Sequence, residues 1–269
     1  MKPNLVLAID IGNTNTHTGL VNCKSHTCQC SDVLPTKNIN ALLVSSLESQ
    51  LNRNQQPKTL PVVICSVIKT KKDEISKLLV SVGFQPPVWL EYGKDFPISV
   101  TYENAATLGA DRLADCLYGF AAYPGKNQII IDAGTAITVD FLKNGHEFTG
   151  GTILPGLTTQ LKSLHDNTSS LPAVQIDETA TEFPGKSTQS SMTTGVTFGT
   201  AGALSFLVER YKQQFGSDAI VLATGGAWKQ VEKLVTFEFE FVKEMTVIGT
   251  GMYYEFMAPG RYTGEGRVT

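Results

Sequence analysis

One local phrase occurs twice in this chain, and it limits the fold to architectures that can use it twice. Leu5-Val6-Leu7-Ala8-Ile9-Asp10-Ile11-Gly12-Asn13-Thr14 and Ile129-Ile130-Ile131-Asp132-Ala133-Gly134-Thr135-Ala136 each run from apolar residues to a carboxylate, a glycine and a hydroxyl. An apolar run of this length bounded by turn residues reads as a buried strand. At its end a carboxylate can hold a hydrated Mg²⁺, glycine lets backbone N–H groups approach a phosphate, and threonine adds a hydroxyl donor. Two such turns, one in each half, point to two lobes gripping a nucleoside triphosphate from opposite sides, and hence to phosphoryl transfer. Thr224-Gly225-Gly226-Ala227 after another apolar strand is a third place where backbone must come close to something flat or charged. A P-loop is absent, and no G-x-G-x-x-G follows a strand.

The rest of the pattern repeats around these turns. Residues 5–11 read as a strand, 13–15 as a hairpin turn and 16–21 as the return strand. A helix is expected over 39–51, a strand over 61–67, a helix over 72–82 stopped by Gly83, and a short strand over 89–92. Leu108-Gly109-Ala110-Asp111-Arg112 opens an Ala-rich helix that runs to about Tyr123, and Pro124 to Asn127 breaks it. From Gln128 the order starts again: a hairpin through 139–142 and 147–149, a helix over 157–165, a long helix over 193–215, a strand over 219–224 and a closing helix over 249–257. Gly195, Gly199 and Gly202 in the long helix predict tight helix packing. The order predicts an N-terminal lobe over 1–123, a C-terminal lobe over 124–257 and a loose tail over 258–269.

Composition removes several function classes. With 22 Lys+Arg against 25 Asp+Glu the net charge is −3, which gives no electrostatic case for a nucleic-acid or membrane partner. The N-terminus lacks a secretory pattern and no run is long enough to cross a bilayer, so a cytoplasmic protein is expected. Five cysteines without a signal argue for reduced thiols. Cys23, His26, Cys28 and Cys30 cluster, but their spacing is unlike a zinc knuckle and reads as an ordinary hairpin. His17, His26, His146 and His165 show no catalytic spacing with a serine or cysteine.

Asp111-Arg112 allows two readings. An acidic residue at a helix start complements the helix dipole, and an adjacent Arg can simply be solvated. Beside an ATP site, the same carboxylate could accept a proton from a substrate hydroxyl, and the guanidinium could hold a substrate carboxylate as a fork.

These elements together resemble the type III pantothenate kinase family of the acetate and sugar kinase/Hsp70/actin superfamily, in order and over nearly the whole chain. Asp10 to Thr16 resembles the first phosphate motif, and Asp132 to Thr138 the second. Tyr102-Glu103-Asn104 through Leu108-Gly109-Ala110-Asp111-Arg112 resembles the substrate signature; Gly150 to Leu157 and Gly185-Lys186-Ser187-Thr188 also fall in place. The resemblance implies an α/β fold of duplicated actin/Hsp70-like (ribonuclease H-like) lobes, each a mixed sheet with flanking helices, and an ATP cleft between them. It implies ATP-dependent phosphorylation of pantothenate.

By the same resemblance Asp10 positions Mg²⁺ through water, and Asp10, Ile11, Gly12, Asn13, Thr14, Asn15, Thr16 and His17 surround the phosphates, with Thr135 touching ATP from the other lobe. Asp132 would help bind K⁺ or NH₄⁺. Asp111 would be the base, with Tyr102, Gly109, Ala110 and Arg112 lining the pantothenate pocket. Thr188 would complete that pocket across a homodimer interface. Two departures stand out. Ala105 replaces a usual proline, and Trp228 is bulky enough to alter adenine stacking. The alternatives are a kinase for another small hydroxylated metabolite and a non-catalytic ATP-binding regulator. The retained Asp10, Asp111 and Asp132 argue against the regulator.

Overall fold

A computed structural model describes residues 4–93, 95–176 and 182–256. The first half of the chain forms β1 (Leu5–Ile11), β2 (Asn15–Asn22), β3 (Thr27–Pro35), α1 (Ile39–Arg53), β4 (Val62–Ser66), α2 (Lys72–Ser81), β5 (Val88–Trp89), β6 (Ser99–Val100) and α3 (Ala110–Ala122). The second forms β7 (Gln128–Ala133), β8 (Ala136–Lys143), β9 (Glu147–Pro155), α4 (Leu157–Asp166), α5 (Thr188–Phe215), β10 (Ile220–Thr224), β11 (Glu240–Phe241) and α6 (Met245–Phe256).

Two mixed sheets carry the duplication. The first runs β3-β2-β1-β4-β5 and the second β11-β10-β7-β8-β9-β6. In the first, β1 is antiparallel to β2 and parallel to β4, and β4 is parallel to β5. In the second, β7 is antiparallel to β8 and parallel to β10, and β10 is parallel to β11. Without β6 the two sheets have one order. Burial repeats as well: β2 and β8 each begin exposed and then bury a second, fourth, fifth, sixth and seventh residue. These are the duplicated α/β lobes that the repeated phrase predicts.

Contacts gather the chain into two compact units. Unit one takes Met1–Gly125, Gly145–Phe148 and Glu244–Thr269 so far as they are described, and unit two takes Lys126–Asn144 and Thr149–Lys243. The core of unit one sets Leu7, Ile9 and Ile11 of β1 against Ile39, Leu43 and Leu47 of α1 and Ile75 and Leu79 of α2. The four-residue steps on α1 and α2 are those of one helix face. In unit two, Ile129 and Ile131 of β7 and Phe141 of β8 meet Leu157 and Leu161 of α4 and Leu204 and Val208 of α5. Each fully buried side chain of this size contributes about 1.5–3 kcal/mol.

The last helix differs most from the sequence reading. It begins at Met245, four residues early, and packs in unit one. It is apolar on nearly all sides, because α3 covers one face and the first sheet another. A Cβ on Gly249 would collide with the carbonyl of Ala114 in α3, and one on Gly251 would lie 2.7 Å from Val21 in β2. The close-packing glycines are therefore in α6. The expectation for α5 is corrected: a Cβ added at Gly195, Gly199 or Gly202 meets nothing within 4 Å. Helix α5 also starts at Thr188 rather than 193, because Ser187 and Ser190 close a reciprocal capping box. The expected tail, 258–269, lies outside the described residues. Among the described residues no helix is long and apolar enough to cross a membrane.

Candidate active site

The first glycine turn is built by strand pairing and then locked from outside. Asp10, partly buried near the end of β1, faces His17 across β2 and Cys65 across β4. The Gly12 N–H donates to the Asn15 carbonyl at 3.0 Å, which closes the turn. Thr36 clamps it: its N–H donates to the Thr14 carbonyl at 2.9 Å and its hydroxyl to the Gly12 carbonyl at 2.8 Å. Buried Thr16 meets the same hydroxyl at 2.9 Å, so its own hydroxyl shapes the turn. Ile11 is buried and Asn13, Thr14 and Asn15 are exposed at the tip. Burial lowers the His17 pKa against the pull of Glu244, which keeps the imidazole neutral near neutral pH. Thr36 had no local signal, since it reaches the turn through space from the end of β3.

Asp111 is the second residue of α3, where a carboxylate also complements the helix dipole. Its Oδ1 folds back over Gly109, at a place where a side chain on that residue would collide. The same oxygen accepts the Arg112 N–H at 2.8 Å. Burial raises the Asp111 pKa; the Arg112 N–H and the Arg112 charge oppose this without cancelling it. A carboxylate raised toward neutrality is a better proton acceptor than an ordinary one.

Arg112 is only 6% exposed. Its guanidinium carbon lies 5.3 Å from the ring centroid of Phe148 and 6.0 Å from that of Tyr102. The two rings meet edge-on with centroids 6.0 Å apart. Tyr102 is exposed and Phe148 fully buried. Ala110 begins the helix beside them and is half-buried. The sequence reading did not single out Phe148, which sits 36 residues from Arg112 in a plain hairpin strand.

Cys65 ties these pieces together within unit one. Burial pushes its thiol pKa well up, and the carboxylates of Asp10, Asp111 and Asp115 push it further. One thiol thus feels the acid of the first turn and the acid of α3, so the fold brings those two predicted residues into one neighbourhood.

In unit two, Asp132 near the end of β7 faces Thr138 of β8 and Thr224 of β10. The Gly134 N–H donates to the Ala136 carbonyl at 2.9 Å, a closure one residue tighter than that from Gly12 to Asn15 in the first turn. The Thr135 carbonyl accepts the Gly156 N–H at 2.9 Å and the Thr159 hydroxyl at 2.7 Å, and Thr135 itself is exposed. Gly225 takes φ +95°, and a Cβ there would lie 2.6 Å from Ala133 N, so only glycine fits. The Ala227 N–H then donates to the Ala133 carbonyl at 3.0 Å.

Trp228 is corrected by the structure. It is fully buried, edge-on to Phe239 at 4.8 Å, and belongs to the core rather than to an adenine-stacking surface. Thr188 is exposed at the first position of α5, just past the Ser187 cap. The cysteine hairpin points its sulfurs in different directions. Cys23 donates to the Gly251 carbonyl at 3.5 Å, Cys28 to the Cys30 carbonyl at 3.3 Å, and Cys30 accepts from Asn54 at 3.3 Å. Burial and the Glu255 charge push the Cys23 thiol up to about 12.

The family model described as type III pantothenate kinase matches residues 6–210. The type III pantothenate kinase of Legionella pneumophila (strain Corby) is 32% identical over 228 residues, covering 82% of this chain and 88% of its own length. That of Persephonella marina is 30% identical over 254 residues, covering 93% and 97%. Among solved structures, a Streptomyces griseus ROK family glucokinase in complex with glucose and AMPPNP superposes with a TM-score of 0.51 at 12% identity, covering 92% of this chain and 98% of its own. A Campylobacter jejuni protein described as a Baf family transcriptional activator gives 0.57 at 20% identity, covering 94% and 97%. Likeness at that level shows the fold alone.

Proposed function

The chain belongs to the type III pantothenate kinase family, and from that premise we propose how its residues divide the work. It is an ATP-dependent kinase that phosphorylates pantothenate to 4′-phosphopantothenate on the route to coenzyme A. Like kinases in general it uses ATP with Mg²⁺.

The observation that carries the residue assignment is Asp111: a carboxyl raised by burial, at a helix start, next to a buried guanidinium. Asp111 accepts the proton of the pantothenate hydroxyl as its oxygen attacks the γ-phosphorus. The new O–P bond forms, the bond to the bridging oxygen breaks, and ADP departs with the electron pair. Arg112 pairs with the substrate carboxylate, and Tyr102, Gly109 and Ala110 line the same pocket. The separation of these two tasks suits an acceptor with a hydroxyl at one end and a carboxylate at the other.

The phosphates lie against the exposed tip Asn13-Thr14-Asn15, whose N–H groups the Thr36 clamp pre-orients. Ile11, Gly12 and Thr16 hold that tip in shape, and neutral His17 flanks Asp10. A hard carboxylate oxygen at this turn suits Mg²⁺ held through water, and Asp10 is the residue assigned to it. When bound, the ion neutralises phosphate charge. From unit two, Thr135 contacts ATP, Gly225 and Gly226 serve the adenosine side, and Asp132 helps hold K⁺ or NH₄⁺.

The active protein is a homodimer in which Thr188 completes the partner's pocket. The support is helix α5: Gly195, Gly199 and Gly202 share one open face, which continues to Phe206, 62% exposed.

The test is ADP release from purified protein with ATP, Mg²⁺ and pantothenate, in K⁺ or in Na⁺. Pantothenate-dependent ADP that falls in Na⁺ supports the whole scheme. Release that ignores the cation removes the Asp132 assignment, and no pantothenate dependence removes the Asp111 and Arg112 assignments together.

A further inference from the structure

Each glycine turn is held from the segment that follows the third strand of its repeat. β3 ends at Pro35 and β9 at Pro155. The next residue in each case donates its N–H into the turn: Thr36 to the Thr14 carbonyl and Gly156 to the Thr135 carbonyl, both at 2.9 Å. In unit one the side chain of that same residue completes the clamp, with the Thr36 hydroxyl on the Gly12 carbonyl at 2.8 Å. In unit two it cannot. A Cβ on Gly156 would strike the Gly134 carbonyl and lie 2.7 Å from the Thr135 oxygen, so a side chain does not fit there. The hydroxyl arrives instead from Thr159, three residues on, which donates to the Thr135 carbonyl at 2.7 Å. Residues three apart are neighbours on a helix surface, so the N–H and the hydroxyl reach one oxygen together.

Thr159 is the third residue of α4, a position from which a polar side chain ordinarily reaches back to its own helix start. Here the hydroxyl goes to a carbonyl 24 residues away. Thr159 is exposed, so burial does not force the contact. The helix beneath it is the fixed partner. Leu157 and Leu161 of α4 are buried in the core. Gln160 donates to the Pro155 carbonyl at 2.8 Å and to the Thr200 hydroxyl of α5 at 3.0 Å. A carbonyl oxygen has two lone pairs, and both donors on Thr135 come from this anchored helix start. The peptide plane that follows Thr135 is therefore set by α4.

We infer that Thr159 is a positioning residue for ATP, fixing the Thr135 turn from α4 as Thr36 fixes the first turn from the end of β3. The inference rests on the reading that Thr135 contacts ATP. It extends the site to a helix residue that carries no chemistry in the transfer itself.

The experiment measures KM for ATP, KM for pantothenate and kcat in wild type, Thr159→Val, Thr159→Ser and Thr135→Ala. Valine keeps the shape and removes the hydroxyl; serine keeps the hydroxyl. Thr159→Val should raise KM for ATP roughly two- to twelvefold, the worth of one net hydrogen bond. KM for pantothenate should stay within about twofold, and Thr159→Ser should return KM for ATP to within about twofold of wild type. An unchanged KM for ATP in Thr159→Val overturns the inference, as does an equal rise for both substrates. Failure of serine to rescue overturns it too, because the methyl packing would then matter and not the hydroxyl. Thr135→Ala separates the two readings. A normal KM for ATP in that variant removes the Thr135 contact itself, whereas a raised one beside a normal Thr159→Val keeps that contact and removes the clamp.

Discussion

The backbone N–H of Arg112 donates to the carboxylate of Asp111 at 2.8 Å, so the residue we propose as the substrate's carboxylate partner also tunes the carboxyl we propose as the base. Burial raises the Asp111 pKa, and Arg112 lowers it twice, through this N–H and through its charge. The net shift is upward. Since the base works ionised, kcat/KM falls as pH drops through that raised pKa. The acid limb of the pH profile is expected above the ordinary carboxylate range. Asp111→Asn should lower kcat by roughly 10²–10⁴, the usual worth of a positioned base. Near-normal turnover in folded Asp111→Asn protein removes the assignment.

Stability runs the other way. A carboxyl whose folded pKa lies above its unfolded one favours the native state while protonated, and that contribution is lost as pH rises through the folded value. At neutral pH the buried, ionised Asp111 is therefore a cost, and Asn cannot ionise. Melting curves should show Asp111→Asn at least as stable as wild type at neutral pH. That advantage should shrink as pH falls toward the ordinary carboxylate value. A variant that is clearly less stable at neutral pH would mean the carboxylate holds the helix start by more than its charge.

Arg112→Gln separates the two roles of that residue. The Gln backbone N–H still reaches Asp111, but the positive charge is gone, so the acid limb should move to still higher pH. KM for pantothenate should rise, while KM for ATP should change little. A pH profile that stays in place would show that Arg112 is too well screened to act on Asp111.

The site was legible where its signal is local in sequence. Asp10 to Thr14 and Asp132 to Thr135 carry strand, acid, glycine and hydroxyl within a few residues, and in each turn the glycine N–H donates to the carbonyl of the first residue of the return strand, three residues on in the first and two in the second. What was missed acts through space. Thr36 clamps the first turn from the end of β3, and Phe148 meets Arg112 through a two-residue strand pairing, too short to leave a periodic pattern. Trp228 was misread because a glycine turn hides whether the next side chain faces a ligand or the core. Helix α6 follows unit two in sequence but packs in unit one, and order along the chain says nothing about such a return.

Gly156 offers a test of the second turn. Its N–H holds the Thr135 carbonyl, and a Cβ there would lie 2.7 Å from that oxygen. Gly156→Ala must push the Thr135 turn outward, so KM for ATP should rise more than KM for pantothenate. Equal changes in both would separate Thr135 from ATP contact.

The two glycine sets make opposite predictions about size. A Cβ on Gly249 would strike the Ala114 carbonyl, which is helix backbone and cannot rotate away. Gly249→Ala should therefore lose about 1–3 kcal/mol, the usual cost of overpacking. Thermal melts should fall by several degrees, at about 2–4 °C per kcal/mol for a chain of this class. Gly199 has open space around it, and in an exposed helix Ala is better than Gly by up to about 1 kcal/mol. Gly199→Ala should leave the melting temperature unchanged or raised, whereas Gly199→Trp should weaken the dimer in sedimentation. Loss of activity in step with that dissociation would link the dimer to Thr188, and a fully active monomer would separate the open face of α5 from the reaction.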